Sequence, residues 1–209
     1  VNMLQVKNVK KAYGKNQVLT DVSFVVPEGR CLGLQGENGS GKSTLLRIVA
    51  GLEKADSGQV LYDGHNLVTS KSLRRKIIGY VPQSGMLMED LTGKEQLKLW
   101  QSACGVGGPI PGDLIEVLGL DPLLRTRISV MSGGQQKRIS VAMALLNRPK
   151  LLLMDEVTAS LDSAYTDALL DYLSNCLKSG SAMIWCSHNQ AEFSRLADTV
   201  LTMKDGQLK

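Results

Sequence analysis

The sequence predicts an α/β fold: apolar parallel strands covered by helices, an antiparallel β-region toward the N-terminus, and a helical segment in the middle. Two observations point to the parallel core. Cys31-Leu32-Gly33-Leu34 and Leu151-Leu152-Leu153-Met154 are short apolar runs without polar alternation, as expected of strands buried on both faces. The first run enters a glycine-rich turn and then a Leu/Ile/Val/Ala-rich helix over residues 43–50 that stops at Gly51. A third observation separates the β-region: residues 3–9, 18–26 and 58–62 read as strands, punctuated by Pro27-Glu28-Gly29 and Asp63-Gly64.

The remaining elements follow in order. Residues 77–81 form another strand, leading into Gln83. From about residue 84 to 130 the texture changes. Residues 94–103 are helical in pattern, Gly105-Val106-Gly107-Gly108-Pro109 breaks it, and 113–118 and 122–125 resume it. Alternation of strand and helix then returns. Leu169, Leu170, Leu173 and Leu177 make one stripe of a helix over 164–177. An apolar strand over 181–186 precedes a helix over 190–197, and residues 199–203 with the Asp205-Gly206 turn close as a hairpin. Repeats and low-complexity stretches are absent from the sequence.

Composition narrows the function classes. The 209 residues suffice for one large domain with a substantial core or two small ones. A net charge of +4, from 24 basic and 20 acidic residues, is too mild to argue for nucleic acid. Lys71, Arg74, Arg75 and Lys76 form the densest basic cluster and read as a solvated loop or helix face. Cys31, Cys104, Cys176 and Cys186 lack zinc-site spacing. Cys31 and Cys186 fall in apolar strands, and a reducing cytosol is the expected setting. No run approaches 18 apolar residues, so no bilayer span is expected. Val1-Asn2 precedes the expected native start at Met3, before which no signal peptide is expected.

The turn after the first core strand is the chemical centre. Gly36-Glu37-Asn38-Gly39-Ser40-Gly41-Lys42-Ser43-Thr44 fits G-x-x-x-x-G-K-[ST] at every fixed position, between strand and helix. A triphosphate needs donors on several sides with no side chains in the way. Gly36, Gly39 and Gly41 let the backbone fold tightly with its N–H groups inward. The helix start adds the positive end of its dipole. Lys42 is expected at the β- and γ-phosphates, the Ser43 hydroxyl on magnesium, and Thr44 at the α-phosphate.

The second core strand ends in Asp155-Glu156. Open α/β sheets take ligands at the carboxyl ends of their strands. Asp155 is expected to hold magnesium, directly or through water, and Glu156 to orient or deprotonate an attacking water.

With these residues in place the chain resembles the ATP-binding-cassette (ABC) ATPases over nearly its whole length, about residues 4–208. Met131-Ser132-Gly133-Gly134-Gln135, followed by Gln136-Lys137-Arg138, is similar to the family's signature loop. Gln83 in Tyr80-Val81-Pro82-Gln83, Ser160-Leu161-Asp162, and His188 in Cys186-Ser187-His188-Asn189 match its Q-loop, D-loop and switch histidine, in order. Tyr13 stands where the family stacks adenine. The sequence departs at Val157, where Pro is common, at Met131 for Leu, and at Ala159 for Ser or Gly. None of these removes a donor, acceptor or charge.

The resemblance implies a P-loop NTPase core with an N-terminal antiparallel β-subdomain and an inserted α-helical subdomain. The core and β-subdomain would be residues 1–83 and 131–209, and the helical subdomain 84–130. It implies an ATPase using ATP and magnesium, with Gln83 beside Ser43 and Asp155 as a magnesium ligand and His188 at the γ-phosphate. Two copies, identical or not, would pair head to tail. Ser132, Gly133, Gly134 and Gln135 of each would close over the ATP of the other. The implied role is the ATP-hydrolysing subunit of a membrane transporter, peripheral on the cytoplasmic face, working through a separate transmembrane permease. Residues 79–83 with Asp90-Leu91-Thr92 resemble export-type members. The alternative is a soluble ABC ATPase in cofactor assembly or another process without transport. A small-molecule kinase would share the cradle but have no use for residues 132–135. His65 sits in turn chemistry, Asp63-Gly64-His65-Asn66, and is assigned no role.

Overall fold

The computed structural model describes residues 3–85 and 87–209. Val1 and Asn2 lie outside the described residues, as does Met86 within the middle segment. Strands β1 (Met3–Tyr13), β2 (Asn16–Pro27), β4 (Ser57–Tyr62) and β5 (His65–Asn66) form an antiparallel sheet in the order β2-β1-β4-β5. β1 and β2 run further than their sequence signals because irregular pairing after Val6 carries the ladder on to the turn between Tyr13 and Asn16.

The second sheet has the order β10-β9-β3-β8-β7-β6. Its strands are β3 (Cys31–Gln35), β6 (Ile78–Val81), β7 (Leu151–Asp155), β8 (Ala182–Cys186), β9 (Thr199–Lys204) and β10 (Gln207–Leu208). The C-terminal hairpin is present, and β9 also pairs in parallel with β3, so the hairpin extends the core sheet. The basic cluster lies on a short helix, α2 (Lys71–Ile77), which runs directly into β6.

Both faces of the parallel sheet are covered, which explains the unalternated apolar runs. Leu151, Leu153, Ala182 and Ile184 join the antiparallel sheet and helix α1 (Lys42–Val49) in one core. Leu152, Met154, Met183 and Trp185 join a second core. That second core includes the long helices α5 (Gly133–Leu145) and α6 (Ser163–Lys178), and α7 (Gln190–Leu196). The middle segment attaches to it: Leu97 of α3 (Gly93–Cys104), Leu114 of α4 (Gly112–Val117), and Leu118, Leu120, Leu123 and Ile128 are all buried there. Each such fully buried side chain contributes about 1.5–3 kcal/mol. Reciprocal capping starts two of the helices: Thr92 with Glu95 at α3, and Ser132 with Gln135 at α5.

Candidate functional site

β3, β8, β7 and β6 are consecutive neighbours, and their carboxyl ends share one edge of the sheet. The glycine-rich loop leaves β3, Gln83 lies two residues past β6, Glu156 one past β7, and His188 two past β8. Parallel topology thus gathers side chains from four distant parts of the chain.

The loop after β3 is shaped as a cradle. Gly36, Gly39 and Gly41 have φ of 150°, 80° and 110°, a region that other residues rarely enter. Gly41 is the N-cap of α1 and supplies no side-chain cap, so the first-turn N–H groups face outward uncapped. A Cβ on Gly36 would stand 2.4 Å from the Met203 carbonyl oxygen, so the loop lies tightly on β9. The Lys42 ammonium is buried and donates to the carbonyls of Gly36 (2.6 Å) and Glu37 (3.1 Å). Thr44 is buried too, its hydroxyl accepting from Arg47 at 3.1 Å. A cavity of about 380 Å3 opens here, lined by Val18, Asn38, Lys42, Ser43, Gln83 and Glu156. A larger one of about 750 Å3 adjoins it, lined by Glu37, Ser40 and His188 among others.

At the end of β7, Asp155 is 1% exposed, and neither of its carboxyl oxygens has a hydrogen-bond partner. Burial pushes this carboxyl above the usual carboxylate range and Glu156 adds to the rise. Ser43, near but outside good hydrogen-bond geometry, opposes it, as do Lys42 and Lys137. Two unpaired buried oxygens beside a serine hydroxyl fit a hard divalent cation, which binds through one or two carboxylates and otherwise through water and phosphate oxygens.

Glu156 turns the chain out of the strand with φ of 49°, a left-handed conformation unusual for a residue with a Cβ. Its N–H donates to the Cys186 carbonyl at 3.0 Å, pinning the turn to β8. One carboxyl oxygen accepts from the Gln83 amide at 3.0 Å, and the other lies 3.0 Å from His188 Nε2. Gln83, Glu156 and His188 therefore form one contiguous group at the mouth of the cradle.

Ser132 to Gln135 sit elsewhere. None of these four residues lines either cavity described above. Ser132 and Gly133 are exposed at the start of α5. Tyr13, at the end of β1, is 47% exposed and lines neither cavity. Its hydroxyl donates to Glu53, and the Lys11 ammonium lies 5.3 Å from its ring centroid.

Sequence reading assigned no role to Lys137, Arg138 or Glu192. The buried Lys137 ammonium donates to the carbonyls of Pro82 (2.9 Å) and Gln83 (2.7 Å), tying α5 to the segment that carries Gln83. Desolvation lowers its pKa, while Asp155 and Glu156 oppose that fall. Arg138 donates to the carbonyls of Leu118 (3.1 Å) and Gly119 (3.3 Å), and its guanidinium carbon lies 4.1 Å from the Tyr165 ring centroid. The available signal was two adjacent cations in the first half of a helix that, apart from Ser140, is apolar from Ile139 to Leu145. Buried cations need partners, and here backbone carbonyls supply them.

Comparison with known proteins agrees with this geometry. A family model described as ABC transporter matches residues 19–159, more than half of the chain. The linearmycin resistance ATP-binding protein LnrL of Bacillus subtilis (strain 168) is 32% identical, the match covering 99% of this chain and 68% of the relative. A putative hemin import ATP-binding protein, HrtA, of Staphylococcus epidermidis (strain ATCC 12228 / FDA PCI 1200) is 34% identical, covering 99% of this chain and 98% of the relative. Among solved structures, the dimeric post-hydrolysis state of the ATP-binding cassette MJ0796 bound to ADP and Pi is similar, with a TM-score of 0.88. It is 28% identical, covering 99% of this chain and 96% of that one.

Proposed function

The chain belongs to the ABC transporter family as an ATP-binding, ATP-hydrolysing subunit, and from that premise we propose a residue-level mechanism and a set of partners. The contact of Glu156 with both Gln83 and His188, at the mouth of a lysine-bearing cradle, carries the reading. The N–H groups of residues 36–44 and the Lys42 ammonium bind the phosphates. Tyr13 packs against the adenine ring. Ser43, Asp155 and Gln83 would hold magnesium, which would supply neutralisation of charge on the phosphate oxygens.

Glu156 accepts a proton from water as the water oxygen attacks the γ-phosphorus. The bond from that phosphorus to the bridging oxygen breaks, and ADP leaves with the bridging electrons. His188 and Gln83 hold the Glu156 carboxyl between them, so the base is oriented before the reaction.

Ser132, Gly133, Gly134 and Gln135 contact the ATP held by a second ATPase subunit, arranged head to tail; that the solved MJ0796 cassette is a dimer supports pairing of two such subunits. Loss of the γ-phosphate removes contacts that exist only in the closed pair, so the pair opens. Residues 84–130 act as a helical subdomain on a body formed by 1–83 and 131–209. A groove of about 290 Å3, lined in part by Leu52, Arg74, Tyr80, Trp100 and Cys104, lies between the two and supports docking of a separate transmembrane permease. Among the described residues no helix is long and apolar enough to cross a membrane. In the proposed assembly the permease supplies the passage and this subunit works from the cytoplasmic face. The export-like character of residues 79–83 and 90–92 favours outward transport.

The decisive experiment is Glu156→Gln. It should keep ATP affinity, lower hydrolysis about 10²–10⁴-fold, and yield an ATP-dependent dimer on a sizing column. Unchanged turnover would reject the base assignment.

A further inference from the structure

Glu192 is the one buried carboxyl outside the cradle, among the described residues, that the mechanism above does not use. It lies in the first turn of α7 and is 5% exposed. No cation pairs with it among the described residues; three neutral donors converge on it instead. The Thr158 hydroxyl donates to one oxygen at 2.7 Å and the Ser187 hydroxyl to the other at 2.6 Å. The Asn189 amide adds a longer contact of 3.4 Å to the first oxygen.

The positions of those donors give the arrangement its meaning. Thr158 is two residues after Glu156, on the segment leaving β7. Ser187 immediately precedes His188, on the segment leaving β8, and Asn189 immediately follows it. Glu156 and His188 touch at 3.0 Å. A closed loop results: Glu192 joins the two segments from behind while the base and the histidine meet in front. The Ser187 hydroxyl is engaged twice, because it also accepts from the Asn189 N–H at 3.0 Å and so fixes the turn around His188.

We propose that Glu192 is a positioning residue for ATP hydrolysis, holding the segment of Glu156 and the segment of His188 at the separation that lets the two side chains meet. This rests on the assignment of Glu156 as the base. The buried Ser187 hydroxyl and the half-buried Thr158 hydroxyl donate to one buried carboxyl and form a stiff clamp, since removing the acceptor takes from both O–H groups the partner they have here. Half-exposed His188 has no comparable support on its solvent side. Misplacement of a catalytic group by about 1 Å can cost about 100-fold in rate without touching the ligand.

The test is Glu192→Gln, which keeps the shape and removes one acceptor. It should leave ATP affinity and the unfolding midpoint near wild type and lower kcat about tenfold, with KM unchanged. Glu192→Ala should lower kcat further, and Thr158→Val should reproduce part of the loss. The discriminating readout is a double-mutant cycle under single-turnover conditions. Glu192→Gln should cost little in a His188→Ala background, because the clamp acts through that histidine's contact with Glu156. Full additivity of the two losses, or wild-type turnover in Glu192→Gln, would overturn the proposal. If Glu156→Gln itself retains activity, the base assignment fails. If Glu156→Gln is inactive and Glu192→Gln is fully active, only the clamp fails.

Discussion

Two glycine-rich helix starts occur in this chain, at Gly41 and at Ser132, and they are built in opposite ways. In the cradle, glycine is demanded by the fold: Gly36, Gly39 and Gly41 all have positive φ, and Gly36 and Gly41 are hemmed in by backbone. The helix start there has no side-chain cap. At the second start Gly133 has no such φ, and a Cβ on it would meet nothing within 4 Å. That helix is capped by its own residues, the Ser132 N–H donating to Gln135 at 2.9 Å and Ser132 accepting in return at 3.3 Å. The neighbouring Gly134 does pack inside the chain, its Cβ position 2.5 Å from the Ser160 carbonyl oxygen. Gly133 therefore serves no need of this chain's own fold, whereas the cradle glycines are required by the fold and, in the proposed mechanism, serve the ligand as well. A glycine whose conformation and packing do not require it makes sense if something outside the chain approaches it closely.

Removing the cradle's charge is the strongest way to break this comparison. Lys42→Ala deletes the proposed charge-assisted contact to phosphate, worth about 1.5–3 kcal/mol. ATP affinity should fall roughly 10–100-fold by titration calorimetry, in the isolated subunit. Wild-type affinity in this variant would show that the cradle is not where the phosphates sit.

Gly133→Ala sharpens the contrast from the other side. In a helix with room for the methyl group, this change should hold or raise stability, by about 0.4–1 kcal/mol. ATP affinity of the isolated subunit should stay put, because the cradle is untouched. Turnover should drop about tenfold, since the added methyl keeps a phosphate from the helix start. Normal turnover together with normal stability would mean that nothing docks at Gly133.

The contrast also explains what could be read before the structure. The cradle and the acidic strand end were legible because their chemistry fixes residue type and spacing within a single stretch of chain. The parallel strands were legible because both faces are apolar. Residue types did name Gln83, Glu156 and His188 one at a time. Their meeting depends on β6, β7 and β8 being neighbours, and strand order leaves no local mark. Glu192 was invisible for a related reason, and Lys137 was marked only by the adjacent cation Arg138: each is a charged residue on a helix, and only the packing of distant carbonyls or hydroxyls around it distinguishes it from a solvated one. The basic cluster on α2 shows the limit from the opposite direction, since its charges did not reveal that a helix leads straight into β6.

The last expected effect is on stability alone and concerns the uncompensated acid of the cradle. Asp155 has two buried oxygens without partners, and its carboxyl is held above the usual range chiefly by desolvation. A raised native value means the fold favours the protonated form. The stability this group contributes is complete below its unfolded value, about 3.9, and is lost as pH rises through the native value. Without nucleotide or magnesium, Asp155→Asn should therefore be more stable than wild type at neutral pH, by about 1–2 kcal/mol. At this chain length that is about 2–4 °C in midpoint per kcal/mol. The advantage should shrink toward pH 4 as the wild-type carboxyl protonates. Magnesium and ATP should then reverse the order, because a bound ligand stabilises in proportion to its affinity and the amide is the poorer cation ligand. Scanning calorimetry of both proteins from pH 4 to 8, with and without magnesium and ATP, measures all three. A wild-type protein whose stability relative to the Asn variant does not change with pH would mean that this carboxyl has found a partner within the fold. The orphaned oxygens would then no longer mark a cation site.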